Sequence, residues 1–134
     1  PYDDFSSMDY ESHVFGQKSY NGVAIISRGK LKNIKTDLIK DKLKQSRIIS
    51  GEITYKKKNI QIINIYTPNG NPVDTEKYTY KTNWLNDLIK RLKISSKKNE
   101  NSEYLINLHR SKYPILKWYT NCVLRGYRKF FFIY

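Results

Sequence analysis

The chain has 134 residues, one cysteine and a formal charge of +13 at pH 7, from 25 Lys and Arg against 12 Asp and Glu. That length suits one domain with a moderate core, and the lone Cys122 with no Cys/His cluster at zinc spacing excludes an internal disulfide and points to a reducing, cytoplasmic setting. No apolar run nears the ~20 residues that span a bilayer, and Pro1 to Asp9 lacks the basic and apolar regions of a signal peptide, so no membrane partner is expected.

In chain order, His13 to Gly16 and Gly22 to Ser27 are predicted as short strands, joined by a polar connection from Lys18 to Asn21. Leu31 to Lys44 has mixed charge and weak periodicity; it reads as loop or edge structure, with a short helix at Asp37 to Leu43 as an option. Arg47 to Tyr55 and Asn59 to Tyr66 are β-branched and apolar, and Lys56, Lys57 and Lys58 form the solvated turn of a hairpin. These four strands are placed in one sheet.

Asp74 or Thr75 stands where a cap is needed for the helix that follows. Its Lys81, Trp84, Leu85, Leu88, Ile89 and Leu92 recur at three- and four-residue spacing, and Lys90, Arg91 and Lys93 crowd its last turns. Ser95 to Ser102 is polar and turn-like and marks a boundary between segments 1–98 and 99–134. Beyond it Leu105 to Leu108 is compatible with helix, Pro114 interrupts, and Lys129 to Tyr134 ends the chain on bare apolar residues.

Charge is unevenly spread. Asp3, Asp4, Asp9 and Glu11 fall within residues 1–16 with no Lys or Arg, which leaves 25 basic against eight acidic residues on the remainder. Polyanions are the partners such a surface attracts. A lysine-rich composition alongside Ile, Asn and Tyr is also what an A+T-rich coding sequence gives whatever the function.

Ile60 to Thr67 runs as an apolar strand into Pro68-Asn69-Gly70-Asn71-Pro72, which delivers Tyr66 and Asn69 to the mouth of a sheet. A phenol there can hydrogen-bond a phosphate oxygen and support its charge; as plain structure, the same tyrosine closes the end of a core strand. Lys18, Ser19, Tyr20, Asn21 and Gly22 offer a cation, a hydroxyl and a stacking face, or equally a solvated β-turn. Lys56 to Lys58 is read as a solvated turn, Trp84 and its leucines as core. His13 and His109 lie far apart in sequence, lack neighbouring carboxylates in a catalytic motif and are read as structural.

Together, Gly16 to Ser27, Arg47 to Ile53 and the Tyr66-Thr67-Pro68-Asn69-Gly70 segment resemble the exodeoxyribonuclease III family of abasic-site endonucleases, within the endonuclease/exonuclease/phosphatase superfamily. The resemblance runs from about Tyr10 to about Lys98 and reads as an internal fragment with an unmatched tail. It implies an α/β fold, part of a four-layered sandwich with a mostly antiparallel sheet, here incomplete. It implies a catalytic, phosphate-site role for Tyr66, and DNA or phosphate contacts for Asn69 and for Lys18, Ser19, Tyr20, Asn21 and Gly22, the glycine letting the strand resume. It further implies double-stranded DNA as partner, a monomer, and Mg2+ as cofactor of the complete domain.

The family's upstream Leu-Gln-Glu segment and its downstream Ser-Asp-His segment are not in this sequence. Where a Gly-Asp-x-Asn segment is expected, Asn99 to Leu108 reads Asn-Glu-Asn-Ser-Glu-Tyr-Leu-Ile-Asn-Leu. The resulting expectation is a DNA-repair phosphodiesterase, an abasic-site endonuclease and 3'-to-5' exonuclease by resemblance, truncated and inactive as an isolated chain. Its tail from about Asn101 would come from a shifted frame or a degenerate sequence. The alternatives are a non-catalytic basic nucleic-acid binder, a phosphoesterase of the same superfamily, and a half-sandwich that does not fold stably alone and whose Phe130 to Phe132 tail is exposed.

Overall fold

A computed structural model describes residues 2–98, 103–110 and 130–133. In chain order they form α1 (Tyr2–Ser7), β1 (Glu11–Gly16), β2 (Gly22–Ser27), β3 (Lys32–Lys35), β4 (Ile48–Tyr55), β5 (Lys58–Thr67), α2 (Glu76–Lys98), β6 (Glu103–Arg110) and β7 (Phe130–Ile133). The strands form two sheets, ordered β1-β2-β7 and β3-β4-β5-β6. All pairings are antiparallel except that of β5 with β6, which is parallel and is bridged by α2 as a crossover.

The period-two alternation of β5 sorts its side chains between two cores. Ile60 and Ile62 pack with Val23, Ile25, Leu31, Ile49, Ile53 and Leu105 between the sheets, with Phe15, Tyr55 and Tyr66 at the margin. Ile63 and Ile65, on the other face, pack with Leu38, Ile48, Trp84 and Leu88 beneath α2. Asn64 shares the inter-sheet face and is fully buried; its Nδ2 donates to the Ala24 carbonyl at 2.8 Å and ties β5 to β2 across the sandwich.

Tight turns join these elements. Tyr55 pairs with Lys58, leaving Lys56 and Lys57 as a two-residue loop with φ of 48° and 65°. That is the left-handed pair a right-twisted hairpin demands. Thr75 is the cap of α2: its Oγ1 accepts from the Tyr78 N–H at 3.4 Å and donates to the Pro72 carbonyl at 2.7 Å.

Several expectations are corrected. The four strands first placed in one sheet are divided, β1 and β2 lying in one sheet and β4 and β5 in the other, because the apolar faces of β2 and β5 each need the other as cover. Residues 37–43 form no helix; after edge strand β3 the chain turns around Asp41, whose carboxylate accepts the N–H groups of Leu43 at 3.0 Å and Gln45 at 3.1 Å. Ser95 and Ser96 continue α2, which runs to Lys98, and Ser96 Oγ donates back to the Lys93 carbonyl. Leu105 to Leu108 is strand, since Leu105 fills the inter-sheet core and Tyr104 packs beneath α2. Within segment 99–134, β6 pairs with β5 and β7 pairs with β2, whereas Cys122, Pro114 and the exposure of the Phe130 to Phe132 side chains lie outside the described residues.

Candidate functional site

Tyr66 sits at the carboxyl end of β5, half-buried against the inter-sheet core. Pro68 and Gly70 are buried in the turn that follows, and a Cβ on Gly70 would come within 2.6 Å of the Lys81 side chain, so glycine lets the turn close on α2. Asn69 is exposed, and its Oδ1 accepts the Asn71 N–H at 3.2 Å, which fixes the tip of the turn.

The hairpin register, carried one pair beyond Ile48 and Ile65, places Arg47 opposite Tyr66, whose N–H donates to the Arg47 carbonyl at 2.8 Å. The Arg47 guanidinium carbon lies 5.1 Å from the centroid of the Tyr66 ring, within cation–π range. Its Nη1 donates to the Tyr66 carbonyl at 3.2 Å and its Nε to Gln45 Oε1 at 2.6 Å. Arg47 is only 7% exposed, so this cation belongs to the protein interior.

From α2, Tyr80 reaches the same cluster. Its hydroxyl donates to Asp41 Oδ1 at 2.7 Å and stands 3.5 Å from Gln45 Oε1. Burial first, and then the hydrogen bond and negative charge of Asp41, push the Tyr80 phenol above its ordinary value, with Arg47 opposing. Tyr80 is therefore a firm donor to Asp41 at neutral pH.

The β1–β2 loop is anchored to this cluster at its base, where the Ser46 N–H donates to Gln17 Oε1 at 3.0 Å. Beyond the anchor Lys18, Ser19 and Tyr20 are exposed, Tyr20 at 91%, and Asn21 is half-buried. Tyr20 and Asn21 carry φ of 33° and 63°, so the left-handed conformation falls on them. Gly22 does not share it, its φ lying outside the left-handed region, and a Cβ there would meet its nearest neighbours at 3.7 Å and 3.8 Å, ordinary contact distances. The structure thus brings the root of the loop and the Tyr66 end of β5 to one network through Gln17, Ser46 and Arg47.

At the neighbouring strand end, the parallel register sets Tyr66 beside His109 and Thr67 beside Arg110. His13 has a carboxylate neighbour that sequence reading did not assign. Glu11 is two residues away on the same strand face, with its Oε2 3.5 Å from His13 Nε2. Among the described residues no group of three or more His, Cys, Asp or Glu is arranged to hold a metal, and Asp41 is engaged by two backbone N–H groups and Tyr80. These residues do not fit a magnesium site, and no step through the ion follows from them. Among the described residues no helix is long and apolar enough to cross a membrane.

Arg47, Gln45, Asp41, Tyr80 and Gln17 were not singled out from the sequence. For Arg47 a signal existed: counting back along the hairpin from the Lys56-Lys57 turn sets it against Tyr66.

No family model and no curated protein matches the chain. Solved structures do. The 3'-5' exonuclease NExo from Neisseria meningitidis is 26% identical with a TM-score of 0.66, over 81% of this chain and 41% of that one. The NExo 3' phosphatase from Neisseria, bound to a product DNA hairpin, is 26% identical with a TM-score of 0.65, over 80% and 40%. An AP endonuclease from Archaeoglobus fulgidus is 29% identical with a TM-score of 0.60, over 79% and 40%. The chain is similar to exodeoxyribonuclease III-like proteins. It has the mixed, mostly antiparallel two-sheet α/β architecture of these proteins, and it spans about two-fifths of their length. Those proteins are named as a 3'-5' exonuclease, a 3' phosphatase and an AP endonuclease.

Proposed function

We propose that this exodeoxyribonuclease III-like chain is the phosphate-binding portion of a DNA-repair phosphodiesterase, that its partner is double-stranded DNA, and that alone it cleaves nothing. The observation that carries the reading is the end of β5, where a half-buried Tyr66 is held by Arg47 next to the exposed amide of Asn69. In this reading the Tyr66 hydroxyl donates to a non-bridging phosphate oxygen and Asn69 donates to the same group or to the adjoining backbone. Lys18 supplies charge to a neighbouring phosphate, Tyr20 a hydroxyl or a stacking face, and Ser19, Asn21 and Gly22 let the strand of DNA lie close to the loop.

Loss of turnover follows from the strand beside it. Where the resemblance expects the aspartate and asparagine of Gly-Asp-x-Asn, Asn99 to Leu108 reads Asn-Glu-Asn-Ser-Glu-Tyr-Leu-Ile-Asn-Leu, and Glu103 to Leu108 of that run lie on β6. Groups that align a nucleophile act as a unit, so replacing them removes nearly all of the rate. The test is a single-turnover incubation of abasic duplex DNA with magnesium and excess protein. No product above the protein-free control is expected; robust cleavage overturns the reading.

Similarity to the Neisseria 3' phosphatase favours a second reading, a phosphomonoesterase acting at DNA 3' ends. Phosphate release from a 3'-phosphorylated hairpin under the same conditions would select it.

A further inference from the structure

We propose that Arg47 is a positioning residue for Tyr66: it sets the ring and the carbonyl of Tyr66 at once, and is itself set by Gln45, Asp41 and Tyr80. The inference rests on the reading of Tyr66 as the phosphate donor and names what makes that donor competent.

Arg47 is too buried, at 7% exposure, to meet a DNA backbone, and its Nε and Nη1 are taken by Gln45 and the Tyr66 carbonyl. What it presents to the site is its guanidinium carbon, 5.1 Å from the Tyr66 ring centroid. A guanidinium can stack on a ring while its edge donates to a carbonyl; a lysine ammonium offers a point charge and cannot do both. The second half of the device lies in the loop and in α2. Asp41 folds residues 41–45 by accepting two backbone N–H groups, which holds Gln45 in place to accept from Arg47. The Tyr80 hydroxyl closes the network from the helix by donating to Asp41. Tyr66 is thus held from two directions: by the chain turn that leads from β5 into α2, and by a polar chain that returns from α2 to the start of β4. Buried networks of this kind are cooperative, so loosening one end is felt at the other.

The test uses the full chain with 13C-labelled tyrosine, the Tyr66 ring signal being assigned by its loss in Tyr66→Phe, together with equilibrium binding of an abasic duplex at low salt. Arg47→Met should move the Tyr66 ring signal and weaken binding by about three- to tenfold. In a Tyr66→Phe background the same substitution should change binding by less than about twofold, because no hydroxyl remains to be positioned. Arg47→Lys restores the charge and should leave the ring signal displaced. Tyr80→Phe, remote from the ring, should displace it in the same direction by a smaller amount. Should Arg47→Met not fold, Arg47→Lys and Tyr80→Phe decide by the ring signal. Independent, multiplying effects of Arg47 and Tyr66 on binding, or an unmoved ring signal, would overturn the proposal. If the unsubstituted chain fails to bind the duplex, the phosphate-site reading falls, and the ring signal alone then judges Arg47.

Discussion

At the scale of single residues, Tyr80 makes its environment measurable through pH. Its phenol is raised above 10.0 by burial and by Asp41, so the native state keeps a proton that the unfolded chain releases. The stabilisation is fully present below pH 10.0 and is lost as pH rises toward the native value. Urea midpoints should therefore fall above that pH, and Tyr80→Phe should fall less steeply than the parent; equal slopes would show that Tyr80 does not titrate in the network. Lys57 tests backbone strain instead. It holds φ of 65° without the freedom of glycine, and Lys57→Gly should raise stability by about 1 kcal/mol in chemical denaturation.

At the scale of elements, α2 is held by Trp84 and Leu88, both buried against Ile48, Ile63 and Ile65. Trp84→Ala should cost about 3–5 kcal/mol of unfolding free energy by leaving a cavity beneath the helix. Among the described residues Trp84 Nε1 is buried with no hydrogen-bond partner, so Trp84→Phe removes an unsatisfied donor and should cost markedly less. Denaturation of both variants compares the two directly. This helix and the β4–β5 hairpin were readable in the sequence because their spacing, cap and turn are local signals. β6 was not: Leu105 and Leu108 stand three residues apart and imitate a helical face, whereas in the parallel strand Leu105 meets the inter-sheet core, Tyr104 packs beneath α2 and Leu108 is exposed. The end of α2 was misread because Ser95 and Ser96 are weak helix formers kept by continuity with the turns before them. Of the candidate site, the two residues proposed for the phosphate, Tyr66 and Asn69, stand in one contiguous segment. The polar chain from Tyr80 through Asp41 to Arg47 could not be read from the sequence, since Tyr80 and Asp41 lie 39 residues apart and meet through tertiary packing.

At the scale of the molecule, two facing sheets and one crossover helix set a strongly basic chain around the end of β5, with the root of the β1–β2 loop tied to the same network. On the proposed function, this end binds the phosphates of duplex DNA. That binding is tested most directly by titrating an abasic duplex with the chain from about 50 to about 200 mM salt, where each phosphate neutralised contributes a log–log slope of about −0.9. Steeply salt-dependent binding is expected. Lys18→Ala should reduce the slope by about one, and Tyr66→Phe should weaken binding at every salt concentration without changing the slope, since it removes a hydrogen bond and no charge. Binding that is absent at low salt, or indifferent to both substitutions, would contradict the proposed function.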